Sequence, residues 1–248
     1  MKKIIPLWPV LFFALLIPFV RMAETHRTII VLAFSVGSAI AVMMSYVLFG
    51  KRDFPMGIFG FFLAIIMAFG SILIIYKLMP GEVFTPDLSV RHIFSIIAVA
   101  LMASIAEEFI FRGLVLWFLL RYFKKIPVFI LLSIQAVLFT VSHKNGTPVF
   151  VFLTFGFGLF FGWTAYKTRS LWFPIGFHFG WDIIIVFATG FHSLNFGHIK
   201  GMVIFNNDFP GVDNLVFLVA LGLSAMMFVK FVSRFQTSNH KNWTAVIE

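Results

Sequence analysis

Three ionisable residues, Glu107, Glu108 and Arg112, stand within six positions of one another in the otherwise apolar run Ala106-Glu107-Glu108-Phe109-Ile110-Phe111-Arg112-Gly113. Two histidines follow in similarly apolar surroundings. His143 closes Phe139-Thr140-Val141-Ser142-His143, and His178 lies four residues before Asp182 in Gly176-Phe177-His178-Phe179-Gly180-Trp181-Asp182. On a helix, residues four apart share a face, so Glu108 is expected to pair with Arg112, and His178 with Asp182. Glu107 lies about 100° round the same helix and needs another partner. A carboxylate hydrogen-bonded to an imidazole can take a proton from water as that water attacks a carbonyl, and imidazole N–H groups can stabilise the oxyanion. The residue types therefore suit hydrolysis. Each motif taken alone also has a plainer reading: a buried ion pair, an interfacial histidine, a polar contact between helices.

The elements that must carry these groups are membrane helices. Of the 248 residues, 60% are hydrophobic and only 12% charged, and the mean hydropathy is +1.00. Long apolar runs without strict alternation point to helices, which satisfy their own backbone in lipid. Eight spans of roughly 20 residues are expected: Ile4 to Val20, Thr28 to Gly50, Phe54 to Tyr76, His92 to Leu120, Ile126 to Ser142, Pro148 to Tyr166, Leu171 to Gly190 and Val212 to Val232. The fold class is all-α, a polytopic transmembrane helical bundle in a single domain, residues 1–248, with the motif core at about 92–190. The fourth span is too long for a straight crossing, so tilt, an interfacial stretch or a break is expected in its first part. The first is read as a retained helix, since no small-residue cleavage site follows it. Gly156, Gly158 and Gly162 would let another helix approach closely, and His192 to Asn214 reads as the longest polar loop.

An ionisable group at membrane depth costs at least about 2.5 kcal/mol, so the three polar clusters need a reason to be there. A bundle can bring them to one internal cavity. No serine nucleophile elbow, His-Glu-x-x-His zinc helix or phosphate-binding glycine loop is present. Cysteine is absent, which excludes disulfides and a thiol nucleophile. The net charge of +9 gathers at the ends of apolar runs rather than on one face, which argues against a nucleic-acid partner. Lys2, Lys3, Lys51, Arg52, Arg121, Lys124, Lys125, Lys167, Arg169, Lys230, Arg234 and Lys241 fall on one side of an eight-helix arrangement, so both termini are expected in the cytoplasm.

In these motifs the chain resembles the CAAX protease and bacteriocin-processing family of intramembrane proteases, related to the CAAX prenyl endopeptidases. Its Glu-Glu-x-x-x-Arg pattern is met by Glu107, Glu108 and Arg112, its Phe-x-x-x-His pattern by Phe139 and His143, and its His-x-x-x-Asn/Asp pattern by His178 and Asp182. The resemblance implies an endopeptidase in which Glu107, helped by His143, activates water while His178 and Asp182 stabilise the oxyanion, with Glu108 and Arg112 in support. Asp182 departs from members with asparagine there, because an ionised carboxylate cannot donate to an oxyanion; either it is protonated or it orients His178. No cofactor is favoured, but Glu107, His143 and His178 would also make a catalytic zinc set. The implied partners are the lipid bilayer and a membrane-associated protein or peptide substrate, and the expected location is the plasma membrane. A transporter with a proton relay and a non-catalytic scaffold or immunity protein are the rivals from other classes.

Overall fold

The computed structural model describes residues 54–78, 82–83, 90–143, 148–193, 197–200, 203–204 and 212–235. The first two expected spans, Ile4 to Val20 and Thr28 to Gly50, and the tail beyond 235 lie outside the described residues. The other six spans are all helical. In chain order they are α1 (Phe54–Leu78), α2 (Val90–Glu108), which runs on through a π-helical segment (Phe109–Leu116) into α3 (Trp117–Tyr122), then α4 (Val128–Ser142), α5 (Pro148–Thr168), α6 (Trp172–Thr189) and α7 (Val212–Phe235). The long fourth span therefore neither breaks nor unwinds. It widens to i→i+5 bonding over two turns just after the Glu-Glu pair, a deviation that helices tolerate mainly at functional sites.

Prolines mark the helix starts. Pro127 immediately precedes α4, Pro148 opens α5 and Pro174 sits in the first turn of α6, where a missing N–H costs nothing. Between α5 and α6 the chain reverses in three residues. Arg169 takes a left-handed φ of 55°, the Ser170 amide donates to Thr168 Oγ1 at 3.3 Å, and the Trp172 amide donates to Ser170 Oγ at 3.2 Å. This tight cap fixes the register of α6 against α5.

α6 is central. It packs along α1 on one side and α2 on the other, while α4 packs along α5, α7 touches α1 and α5, and the π segment reaches α4 and α5. The closest approach is between α1 and α6, where a Cβ on Gly176 would collide with the Gly57 carbonyl. The α4–α5 contact is nearly as tight: a Cβ on Gly158 would stand 2.8 Å from the Ala136 Cα. Of the three glycines expected to allow close approach, Gly158 and Gly162 face α4, whereas Gly156 faces Leu218 and Leu221 of α7. An aromatic core of Phe160, Phe161, Phe173, Phe177, Trp181 and Phe228 fills the bundle.

The surface reverses the pattern of a soluble protein. Phe62, Ile66, Phe129, Val141 and Phe152 point outward, each more than half exposed, while Glu108, Arg112 and Gln135 are buried. Large apolar groups outside and charges inside are what a lipid solvent selects. Phe54–Leu78 and Pro148–Thr168 are long and apolar enough to cross a membrane, and Val128–Ser142, Trp172–Ala188 and Leu215–Lys230 are shorter apolar helices.

The expected polar loop after α6 carries strands. β2 (Gly190–Ser193) pairs antiparallel with β3 (Gly197–Lys200), and β4 (Val203–Ile204) pairs with β1 (Glu82–Val83). Ladders of two to four residues leave too short a stretch for an alternating pattern to stand out from a polar connection.

Candidate active site

Glu108 is the hub. Lying at the end of α2, it is fully buried, and its Oε1 accepts from Arg112 Nη1 at 2.9 Å one turn further on. The same Oε1 lies 2.9 Å from His178 Nδ1 on α6. A carboxylate oxygen accepts here, so Nδ1 of His178 carries a proton and Nε2 faces the other way. The Glu108–Arg112 pair expected from the spacing is present, and it is also the point that ties α2 to α6.

Arg112 is only 3% exposed. Its Nη2 reaches the Gly158 carbonyl on α5 at 3.5 Å, and its guanidinium lies 4.4 Å from the Phe139 ring centroid and 5.1 Å from that of Phe161. A planar, weakly hydrated cation is suited to such a position between rings and a carboxylate.

His143 caps the C-terminus of α4. Its Nδ1 lies 2.8 Å from the Phe139 carbonyl oxygen, which can only accept, so Nδ1 is the protonated nitrogen and Nε2 of the neutral ring is the acceptor. Phe139, one turn behind, also packs its ring 4.5 Å from the imidazole. The Phe-x-x-x-His spacing therefore works through both the backbone and the ring of Phe139.

Glu107, displaced round α2, finds the partners it needs on two other helices. Its Oε2 stands 3.7 Å from His143 Nε2 and 3.9 Å from His178 Nε2, and it is buried without a hydrogen-bond partner among the described residues. Asp182 Oδ2 completes the group, 3.4 Å from His178 Nε2. All six residues expected at the site come together from α2 and its π-helical continuation, α4 and α6. Glu108 and Arg112 form the closed floor, while Glu107, His143 and Asp182 are each about a quarter to a third exposed. The open face is therefore the one bearing the two Nε2 atoms and two carboxylates.

A family model for Rce1-like proteins, described as type II CAAX prenyl endopeptidase Rce1-like, matches residues 89–184. Over these residues the chain is similar to that family. The match runs from the start of α2 to the middle of α6 and so holds all three motifs, bearing out the resemblance read from them. The Rce1-like family is a family of membrane-embedded proteases, which agrees with the apolar exterior and the buried charges. No curated protein and no solved structure matches the chain.

A zinc ion could in principle be shared by His143, His178 and Glu107. Donors each about 2.0–2.1 Å from a tetrahedral ion stand about 3.3–3.4 Å apart. Both Glu107–imidazole separations are wider, and among the described residues no three His, Asp or Glu side chains form a group that could hold a metal ion. The donor chemistry suits zinc, and the separations are a few tenths of an ångström wider than a bound ion would set.

Sequence reasoning missed Phe161 and Gln135. Phe161, buried on α5, stacks on His178 with ring centroids 5.1 Å apart and planes 24° apart. Gln135 is fully buried on α4, and a Cβ on Gly162 would collide with its Oε1. Nothing in the sequence sets Phe161 apart from the other 35 phenylalanines, 36 in all. Gln135 could have been noticed as a lone amide in an apolar run.

Proposed function

We propose that this chain is an intramembrane endopeptidase that hydrolyses a peptide bond of a membrane-associated protein or peptide with a glutamate-activated water. The observation that carries the reading is Glu107 Oε2, a buried carboxylate oxygen without a hydrogen-bond partner, facing the Nε2 atoms of two imidazoles whose Nδ1 atoms are both held elsewhere. Polar groups beyond direct hydrogen-bond distance can share a water. Such a water donates one proton toward Glu107 and the other toward His143 Nε2, which leaves its oxygen lone pair for the substrate carbonyl carbon. As the C–O bond forms, Glu107 takes the proton, and it returns that proton to the amine nitrogen as the C–N bond breaks.

His178 serves the oxyanion. With Glu108 accepting from Nδ1, a doubly protonated ring presents Nε2–H and positive charge on the open face. Asp182, 3.4 Å from Nε2, acts here on His178 rather than on the oxyanion, because its carboxylate has no proton to give while ionised. Glu108 and Arg112 keep the ring in this orientation. The proposed setting is the plasma membrane with both termini cytoplasmic, supported by the distribution of cations between spans.

The test is cleavage of a fluorogenic membrane-peptide library by detergent-purified protein. Glu107→Gln and His143→Ala should each lower cleavage by about 10²- to 10⁴-fold, the usual contribution of a general base, with unchanged melting. Full activity in Glu107→Gln would remove Glu107 from the role of base. A wild-type protein inert toward every membrane peptide would favour the scaffold or transporter readings.

A further inference from the structure

We infer that Phe161 is a positioning residue for His178, holding the plane of the imidazole so that its two nitrogens address the Glu108 floor and the open face; this rests on the protease reading of the site. The torsion that turns a histidine ring about its Cβ–Cγ bond is broad and roughly two-fold, so backbone position alone does not set the ring plane. The contact between Nδ1 and Glu108 Oε1 at 2.9 Å pins one atom and leaves the ring able to pivot about it. A flat partner removes that freedom, and Phe161 supplies one with its stack 24° from parallel.

The surroundings favour this role over simple packing. Phe161 is 1% exposed, and its ring also stands 5.1 Å from the Arg112 guanidinium carbon. It therefore lies against both groups that share Glu108 Oε1, covering that carboxylate's hydrogen bonds with an apolar face. Phe160, its neighbour on α5, is a natural control. It is 5% exposed and contacts the rings of Phe161, Phe173, Phe177 and Phe228 rather than the imidazole of His178 or the guanidinium of Arg112. Truncating either phenylalanine costs core packing, but only Phe161 should matter to the imidazole.

The experiment compares Phe161→Leu, Phe161→Tyr and Phe160→Leu in the full chain. The first readout needs no cleavage: the ring-proton NMR signals of His178 in protein labelled with ¹³C-histidine, assigned with His178→Gln. Protons over an aromatic face are shielded, so Phe161→Leu should move the His178 signals downfield and broaden them, while Phe161→Tyr and Phe160→Leu leave them in place. The second readout is cleavage, where Phe161→Leu should lower kcat about tenfold with KM changed less than twofold, and Phe161→Tyr should restore it. Equal effects of Phe161→Leu and Phe160→Leu on the His178 signals, or none from either, overturn the inference. If the NMR result is as expected but wild-type protein cleaves nothing, the protease reading fails while the positioning of His178 by Phe161 stands.

Discussion

Glu108 Oε1 lies 2.9 Å from His178 Nδ1 and equally 2.9 Å from Arg112 Nη1, so one buried oxygen joins a guanidinium on the π segment to an imidazole on α6. This arrangement makes Glu108 structural and chemical at once. Its burial would be prohibitive without Arg112, and His178 would lack an oriented Nδ1 without Glu108. Removing one member of a buried pair strands the other charge, typically at 3–5 kcal/mol. Glu108→Gln should accordingly lower the melting temperature in detergent as well as activity, with a loss of about 3 kcal/mol or more. Glu107→Gln should leave melting unchanged. Equal melting of the two variants would show that the Glu108–Arg112 pair does not bear on stability.

Asp182 offers a sharper test of role. If its carboxylate serves as a second acceptor that shares His178 Nε2–H with the oxyanion, asparagine can do the same through its amide oxygen and can also donate an N–H to an oxyanion. Asp182→Asn should therefore keep kcat within about tenfold of wild type, whereas Asp182→Ala should lower it by about 10²-fold, the scale of losing a preorganised oxyanion-site group. Steady-state kinetics on one peptide substrate suffice. Loss of activity in Asp182→Asn equal to that in Asp182→Ala would mean the negative charge itself is needed.

The site was more legible in the sequence than the fold around it. Ionisable residues in apolar runs are few, and their four-residue spacing translates directly into helical faces, so Glu108 with Arg112, and His178 with Asp182, could be paired on paper. That Glu107 had no partner on its own helix was also legible, but not that His143 and His178 would both approach its Oε2, because that depends on packing between helices. The π segment was hidden because hydropathy carries no information on backbone hydrogen-bond register. Phe161 was hidden among residues of identical type, and its role exists only through its distance to His178. The ladders of β2 with β3 and β1 with β4 were hidden by their shortness.

Metal dependence can be decided directly. The Glu107–imidazole separations of 3.7 and 3.9 Å fall between the roughly 3.3 Å of two ligands on one zinc ion and the about 4.5 Å of two groups bridged by one water, and the proposed glutamate–water mechanism needs no metal. Peptide cleavage by purified protein should be indifferent to a tight zinc chelator, and metal analysis of active protein should find zinc well below one per chain. Loss on chelation with recovery on adding zinc would transfer Glu107, His143 and His178 to a metal-binding role.

The catalytic geometry should also respond to a residue with no polar atoms in its side chain. α6 carries His178 and Asp182, and its position is set by the contact in which Gly176 meets the Gly57 backbone of α1. A methyl group there has only backbone to displace, so α6 must shift. Overpacking of this kind usually costs about 1–3 kcal/mol, and a displacement of even 1 Å at a catalytic group can cost about 10²-fold in rate. Gly176→Ala should therefore lower both melting and kcat. Gly222→Ala on α7 is the matched control, since nothing lies within 4 Å of the added Cβ. Gaining helix propensity there should leave stability unchanged or raise it by up to about 1 kcal/mol. Thermal melting with cleavage rates for the two variants checks both halves, and Gly176→Ala with wild-type kcat would show that α6 is held in place by something other than its backbone contact with α1.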